Sequence, residues 1–152
     1  MSIKLKNQKE LINYIAGRAK VIEASLIMYL EYAVSELTEH AITNKGYNDI
    51  TSNLKSSIGG GVFKDGRPVT YRGFEGQAVG NQTGLEFLNS LVSGVGSGYT
   101  IIIVAGMEYA TYVENYHGLN VLKKTELAAP AVLKSMIDEL KGKFKCRRPT
   151  RF

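Results

Sequence analysis

A continuous apolar stripe through the first 45 residues constrains the fold of this chain most. Apolar side chains recur there at spacings of three and four, the period of one helix face. The stripe consists of Ile12, Ile15, Ala19, Ile22, Leu26, Leu30, Ala33 and Leu37. Asn7 followed by Glu10 predicts a capping-box-like start, and Gly46 supplies a residue that commonly ends a helix. At about 1.5 Å per residue the helix would be roughly 55 Å long.

A helix of that length exceeds the width of a compact domain of 152 residues. We therefore expect part of it to project from the body, to kink at Gly17, or to pack against another copy of the chain. Flanking apolar residues such as Ile27, Tyr29 and Val34 widen the stripe beyond what one sheet face needs. The sequence predicts an oligomer.

The remainder of the chain predicts a single α+β domain. Thr51 or Ser52 begins a short helix, and Asp65-Gly66 is a preferred pair for a tight hairpin turn. Pro68 places the second hairpin strand at a sheet edge. The apolar, β-branched run from Tyr99 to Ala105 predicts a strand buried on both faces.

Glycine takes 11 of the 40 positions from Gly59 to Gly98, and residues 73–84 lack any periodicity. We expect residues 73–84 to form a long, exposed, mobile loop, followed by a short helix over 85–92. A helical segment over 107–115 and a last helix over about 125–141, with Pro130 near its start, complete the domain. The predicted fold is α+β, with a long N-terminal and a C-terminal helix packed on a small, mainly antiparallel sheet.

The positive charge is concentrated at one end. Residues 141–152 hold six Lys and Arg and no Asp or Glu, so the net charge of +5 leaves residues 1–140 at −1. We therefore divide the chain into a domain over 1–140 and a basic tail over 141–152. The candidate phosphate contacts in the tail are Lys141, Lys143, Lys145, Arg147, Arg148 and Arg151. Two interpretations stay open: contact with nucleic acid or an acidic partner, or a solvated end.

The composition predicts no membrane segment, because the longest apolar run, Ile101–Ala105, is far shorter than the roughly 20 residues of a membrane helix. The chain opens with lysines rather than with the apolar stretch of a signal peptide. The single cysteine, Cys146, can form neither an internal disulfide nor a zinc cluster.

The sequence matches no complete catalytic, metal-binding or phosphate-binding motif. His40 lies where a cation interacts favourably with a helix C-terminus, and Glu114-x-x-His117 is half of a di-metal pattern whose second half is missing. Glycine clusters at 59–61 and 94–98 lack the strand–glycine–helix order of a phosphate loop. We predict no enzyme, no cofactor and no metal, and keep a metal-dependent hydrolase that uses Glu114 and His117 as a minor alternative.

Two segments point to a family. Thr51-Ser-Asn53-Leu54-Lys-Ser-Ser57-Ile58 is similar to a Thr-Gly-x-Leu-x-x-Ser-Ile motif, and Tyr109-Ala110-Thr-Tyr112-Val113-Glu114 is similar to Tyr-Ala-x-Tyr-Val-Glu. With these motifs in the right order, residues 8–141 resemble the tail-component family of tailed bacteriophages. We call the two segments the first and the second motif segment.

The resemblance implies a small virion subunit that forms rings, commonly of six, at the head-to-tail junction or the tail end. Its partners would be copies of itself and neighbouring neck or tail proteins, with non-specific DNA contact in the channel and no small-molecule substrate. It would be assembled in the bacterial cytoplasm. We predict that the helix over 8–44, with Tyr109 and Tyr112, supports the subunit core and its interface, and that residues 73–98 reach toward a neighbour. The alternative function is a nucleic-acid-binding module that acts through the basic tail.

Overall fold

The computed structural model describes residues 7–116 and 118–145 and shows the predicted α+β fold. In chain order the elements are α1 (Gln8–Thr43), α2 (Asn53–Ser56), β1 (Ile58–Lys64), β2 (Arg67–Gly73), α3 (Ala78–Leu91), β3 (Tyr99–Ala105), α4 (Ala110–Asn115) and α5 (Lys123–Phe144). A single 3-10 turn, Val92–Gly94, follows α3.

The three strands form an antiparallel sheet in the order β2-β1-β3. Asp65 and Gly66 connect β1 to β2 with φ values of 51° and 74°, as a tight hairpin turn requires. β2 is an edge strand, as Pro68 predicts, and its register with β1 shifts where Phe63 lies opposite Pro68. The other edge strand is β3, so its first five residues are only half-buried, and the prediction of burial on both faces is wrong for them.

Helices cover both faces of the sheet. On one face α1 packs on β1, with Val34 beside Gly60. A Cβ at Gly60 would lie 2.6 Å from the Ile102 carbonyl oxygen, so β3 leaves no room for a side chain there. On the other face α3 covers a cluster of Phe63, Leu88 and Val104. The C-terminal helix α5 packs along α1.

Helix α1 projects from this body, which is one of the three outcomes expected from its length. It runs without interruption through Gly17, and at 36 residues it is about 54 Å long. Residues 7–22 are all exposed. The predicted cap differs, because Asn7 makes no side-chain capping bond. The helix also ends before Gly46, which instead lets the chain pass close to the carbonyl of Leu119.

The predicted glycine-rich loop is largely absent. From Ala78 onward this stretch is helical, and α3 extends to Leu91. Gly80 and Gly84 are buried where the helix touches α2 and the start of β1. A Cβ at Gly84 would lie 2.5 Å from the Ser57 carbonyl oxygen, so these glycines serve close packing of a helix rather than loop mobility.

The C-terminal helix is longer than predicted at both ends. It begins at Lys123 and ends at Phe144, and it passes through Pro130 at its eighth position rather than starting there. Because proline has no N–H, the Glu126 carbonyl lacks its usual helical donor. The helix α4 is shorter than the predicted segment over 107–115, because residues 107–109 form a turn before it.

Candidate functional site

The two motif segments, about fifty residues apart in sequence, meet in one hydrophobic cluster. Leu54 and Ile58 of the first segment pack there with Ala110 of the second, and Val113 packs against them. Ala41 of α1, Tyr47, Ala105 and Val121 complete the buried cluster. The motif residues thus join α1, α2, the end of β3, α4 and the chain entering α5.

Ser57 links the first segment to the chain that leads into the second. Its hydroxyl donates to the Leu54 carbonyl at 2.8 Å and accepts from the Met107 N–H at 3.3 Å. The Gly106 N–H donates to the Ser57 carbonyl at 3.2 Å. Ser57 is fully buried, so these bonds satisfy polar groups that water cannot reach.

Glu114 of the second segment caps the N-terminus of α5. Its carboxylate accepts hydrogen bonds from the N–H groups of Val121 at 2.7 Å, Leu122 at 2.6 Å and Lys123 at 3.0 Å. The first N–H groups of a helix have no partner within the helix, and a negative charge there is favourable. The Glu114 carboxylate thus stabilises the start of α5 and holds α4 close to it.

The minor alternative, a metal-dependent hydrolase, would need Glu114 together with His117. Glu114 is occupied by backbone donors, and His117 lies outside the described residues. Over residues 7–116 and 118–145, no three His, Cys, Asp or Glu side chains come together in a group that could hold a metal ion.

Other motif residues lie at the surface. Thr51 is exposed, with its hydroxyl 3.5 Å from the Asn53 N–H, and Asp49 rather than Thr51 or Ser52 binds the Lys55 N–H, at 3.1 Å. Tyr109 and Tyr112 are exposed, and the Tyr112 ring stacks on Tyr116 at a centroid distance of 5.3 Å.

A cavity of about 310 Å³ lies beside the motif cluster, lined by Tyr47, Ile50, Thr51, Tyr109 and neighbouring residues. Tyr47 is 8% exposed, and its hydroxyl has no hydrogen-bond partner among residues 7–116 and 118–145. Burial raises the pKa of Tyr47 to about 12, and the nearby Asp49 carboxylate adds to the shift.

The projecting half of α1 carries the largest exposed apolar surface of the predicted stripe. Ile12, Ile15 and Ile22 are 64%, 58% and 42% exposed. They continue the face of α1 that carries the buried Ala33 and Leu37 further along the helix. The stripe therefore runs from the core out onto a helix that nothing covers in the described part of the chain.

A polar network marks the point where α1 leaves the sheet. The Glu23 carboxylate pairs with the Lys64 ammonium and accepts a hydrogen bond from the Tyr99 hydroxyl at 2.6 Å. Hydrogen bonds from Lys64 and Tyr99 lower the pKa of Glu23, while the bond to Glu23 raises the pKa of Lys64 and of Tyr99. The network ties α1 to the adjacent ends of β1 and β3.

The end of α5 holds the described part of the basic tail. Lys141, Lys143 and Lys145 are exposed, and the Lys143 ammonium lies 4.9 Å from the centroid of the Tyr29 ring. Arg147, Arg148, Arg151 and Cys146 lie outside the described residues. His40, predicted at the C-terminal end of α1, lies in its last turn, where its Nδ1 is 2.9 Å from the Thr125 hydroxyl of α5.

Comparison of this chain with protein-family models, curated proteins and solved structures finds no match. No helix over residues 7–116 and 118–145 has the length and apolar character needed to cross a membrane.

Some structural roles carry no signal in the sequence. Ser57 and Glu114 belong to the motif segments, but the sequence shows neither the cross-link through Ser57 nor the cap on α5. Tyr47 and Asp49 lie outside both motifs. Only the proximity of Asp49 to a helix start could have signalled its capping role.

Proposed function

We propose that this protein is a non-enzymatic virion subunit of a tailed bacteriophage or prophage, which forms a ring at the head-to-tail junction or tail end. Assembly takes place in the bacterial cytoplasm, through copies of itself and neighbouring neck or tail proteins. The observation that carries the proposal is the apolar stripe on the projecting half of α1, which a neighbouring subunit would cover.

The two motif segments support the family assignment. Residues of both segments, Leu54 and Ile58 with Ala110 and Val113, build one cluster, and Ser57 and Glu114 hold the chain around it. Segments that form one packed unit depend on each other, which gives a physical reason for the two motifs to occur together.

The apolar area of the stripe is too small for two α1 helices to form a stable dimer through this contact alone, so it favours an assembly in which each copy makes several contacts. Fully burying an isoleucine contributes about 1.5–3 kcal/mol, so the roughly half-exposed Ile12, Ile15 and Ile22 offer on the order of 3–4 kcal/mol per copy. Association costs an estimated 4–15 kcal/mol in lost freedom, so a single contact of this kind is too weak alone. A ring, or a template in the virion, would supply the additional contacts.

The test is incorporation into particles. The protein is mixed with its virion neighbours, sized by light scattering and imaged by negative stain. A variant with Ile15→Glu and Ile22→Glu places two charges on the stripe, and Asn13→Glu with Ala24→Glu places the same two charges elsewhere on exposed α1 surface. We expect the first variant to be excluded from particles and the second to enter them.

A wild-type chain that never enters particles, or equal incorporation of both variants, would contradict the proposal. A monomer in dilute solution would not, because a template can supply the missing association energy.

A second candidate function, nucleic-acid binding through the tail, is favoured by the exposed Lys141, Lys143 and Lys145 at the end of α5. It predicts DNA affinity that falls steeply with salt. Because α5 continues to Phe144, the appropriate variant removes residues 145–152 and replaces Lys141 and Lys143 by Gln, so that the helix remains intact. Unchanged DNA affinity at two salt concentrations would exclude this function.

A further inference from the structure

Strand β3 has one unpaired edge, and the hydrogen-bond pattern shows which groups face it. The Asp65 N–H donates to the Gly98 carbonyl at 2.9 Å before β3, and the Gly106 N–H donates to the Ser57 carbonyl at 3.2 Å after it. Hydrogen-bonded and non-bonded pairs alternate along an antiparallel ladder. Even-numbered residues of β3 therefore bond to β1, and the N–H and C=O groups of Tyr99, Ile101 and Ile103 point outward.

The outward edge is open and apolar. Within residues 7–116 and 118–145, only β1 pairs with β3. The strand contains no charged residue and no proline, the usual devices that protect an edge from pairing with another strand. An unprotected edge of seven residues is a template for one more strand.

Space for side chains of an added strand lies along this edge. Two cavities, of about 390 and 340 Å³, follow one another between β3 and α5. The first is lined by Ile101 with Leu133 and Ile137 of α5, and the second by Ile103 with Ala129. Because both cavities are on the α1 side of the sheet, the fitting strand would present apolar side chains on one face only.

Residues Met1–Lys6 have this pattern. Met1, Ile3 and Leu5 alternate with Ser2, Lys4 and Lys6, which gives one apolar and one polar face in a strand.

The same residues cannot lie along β3 of their own chain. Tyr99 begins β3 beside Glu23, and fifteen residues of helix separate Gln8 from Glu23, about 22 Å at 1.5 Å per residue. Six fully extended residues span at most about 20–22 Å, so residues 1–6 could reach Tyr99 at most and could not continue along the strand. The neighbouring copy has no such restriction.

We propose that the open edge of β3 accepts Met1–Lys6 of a second copy as an additional strand. Met1, Ile3 and Leu5 enter the cavities beside α5, and the lysines face away from them. The inference rests on the proposed self-assembly and specifies one of its contacts. Each copy offers one donor segment and one acceptor edge, an arrangement that links copies head to tail and closes into a ring when the rotation allows.

Amide hydrogen exchange tests the docking directly. The recipient is the full chain with Ile3→Asp and Leu5→Asp, whose own segment cannot compete, and the probe is a synthetic peptide of residues 1–7. We expect the peptide to slow exchange of the Ile101 and Ile103 amides at least about tenfold, because they gain hydrogen-bond acceptors. The Ile102 amide, already bonded to β1, is the internal control and changes little.

Two variant peptides distinguish docking of the apolar face from non-specific charge attraction by the lysines. Ile3→Asp with Leu5→Asp is expected to weaken binding at least about tenfold through lost apolar burial, whereas Lys4→Ser on the opposite face is expected to bind within about threefold of the wild type. Absence of protection at about 1 mM peptide, or equal protection by the Asp peptide, would overturn the inference.

Particle incorporation of full-length chains tests the edge contact and the proposed virion function separately. If the wild type enters particles and the chain with Ile3→Asp and Leu5→Asp enters equally well, the edge contact is refuted while the ring proposal stands. If the peptide protects β3 but the wild-type chain never enters particles, the contact stands and the virion function is refuted.

Discussion

Replacement of Glu114 is expected to be the most informative change to the fold, because one carboxylate serves three backbone donors. Glu114→Ala leaves the N–H groups of Val121, Leu122 and Lys123 without this partner. Val121 is buried and Leu122 half-buried, whereas Lys123 is exposed and can bind water instead. Two poorly hydrated donors at about 1–1.5 kcal/mol each, with the lost charge at the helix end, give a destabilisation of roughly 3 kcal/mol.

The assay is urea and thermal denaturation monitored by circular dichroism. A loss of roughly 3 kcal/mol corresponds to a melting temperature lower by about 6–12 °C for a chain of this size. Glu114→Gln keeps one carbonyl oxygen as acceptor and should lose about half as much free energy. Glu108→Ala, an exposed glutamate just before α4, is the matched control and should change stability by less than about 0.5 kcal/mol. If Glu114→Ala behaves like Glu108→Ala, the capping role is refuted.

Two further changes test buried groups. Folded Tyr47 holds its proton to a pKa of about 12 instead of 10.0, so the wild type should lose about 2 kcal/mol of stability as pH rises from 10 to 12. Tyr47→Phe should abolish this part of the loss. The variant should also be at least as stable as the wild type at pH 7, because it removes the buried hydroxyl that lacks a partner in the described residues. If urea titrations show the stability of both proteins falling equally between pH 10 and 12, the expectation is contradicted. Gly84→Ala should lower the free energy of unfolding by about 1–3 kcal/mol, because the added Cβ would meet Ser57 and Phe74. Gly17→Ala is the control: the described structure has open space around Gly17, so this change should raise the free energy of unfolding by up to about 1 kcal/mol. Equal denaturation midpoints for the two variants would refute the packing role of Gly84.

Local patterns predicted the elements whose formation depends on neighbouring residues. The three- and four-residue spacing of the stripe predicted α1, Asp65-Gly66 predicted the hairpin, and the β-branched run predicted β3 at its observed bounds. Each of these signals lies within one stretch of chain and needs no distant partner to take effect.

The glycines of α3 show where such patterns fail. Gly80 and Gly84 resemble loop residues in sequence because glycine weakens a helix by itself. In the fold they permit α3 to approach Asn53 and Ser57, and the close contact outweighs the low propensity. Which glycine is a loop residue and which is a packing residue depends on what lies opposite, and that is a property of the tertiary structure.

The sequence by itself determined a helix too long for its domain, an apolar stripe along it, a hairpin and an apolar, β-branched strand, because periodicity and turn chemistry are local. Only the tertiary structure decided that Glu114 caps α5, that Ser57 joins the two motif segments, and that β3 lies at an open edge beside empty apolar space. The Ser57 link joins groups fifty residues apart, and the edge position of β3 depends on its pairing with β1 and on the approach of α5. The Glu114 cap spans only seven to nine residues, but it depends on how α4 and α5 lie relative to each other. Periodicity and turn chemistry encode none of these contacts.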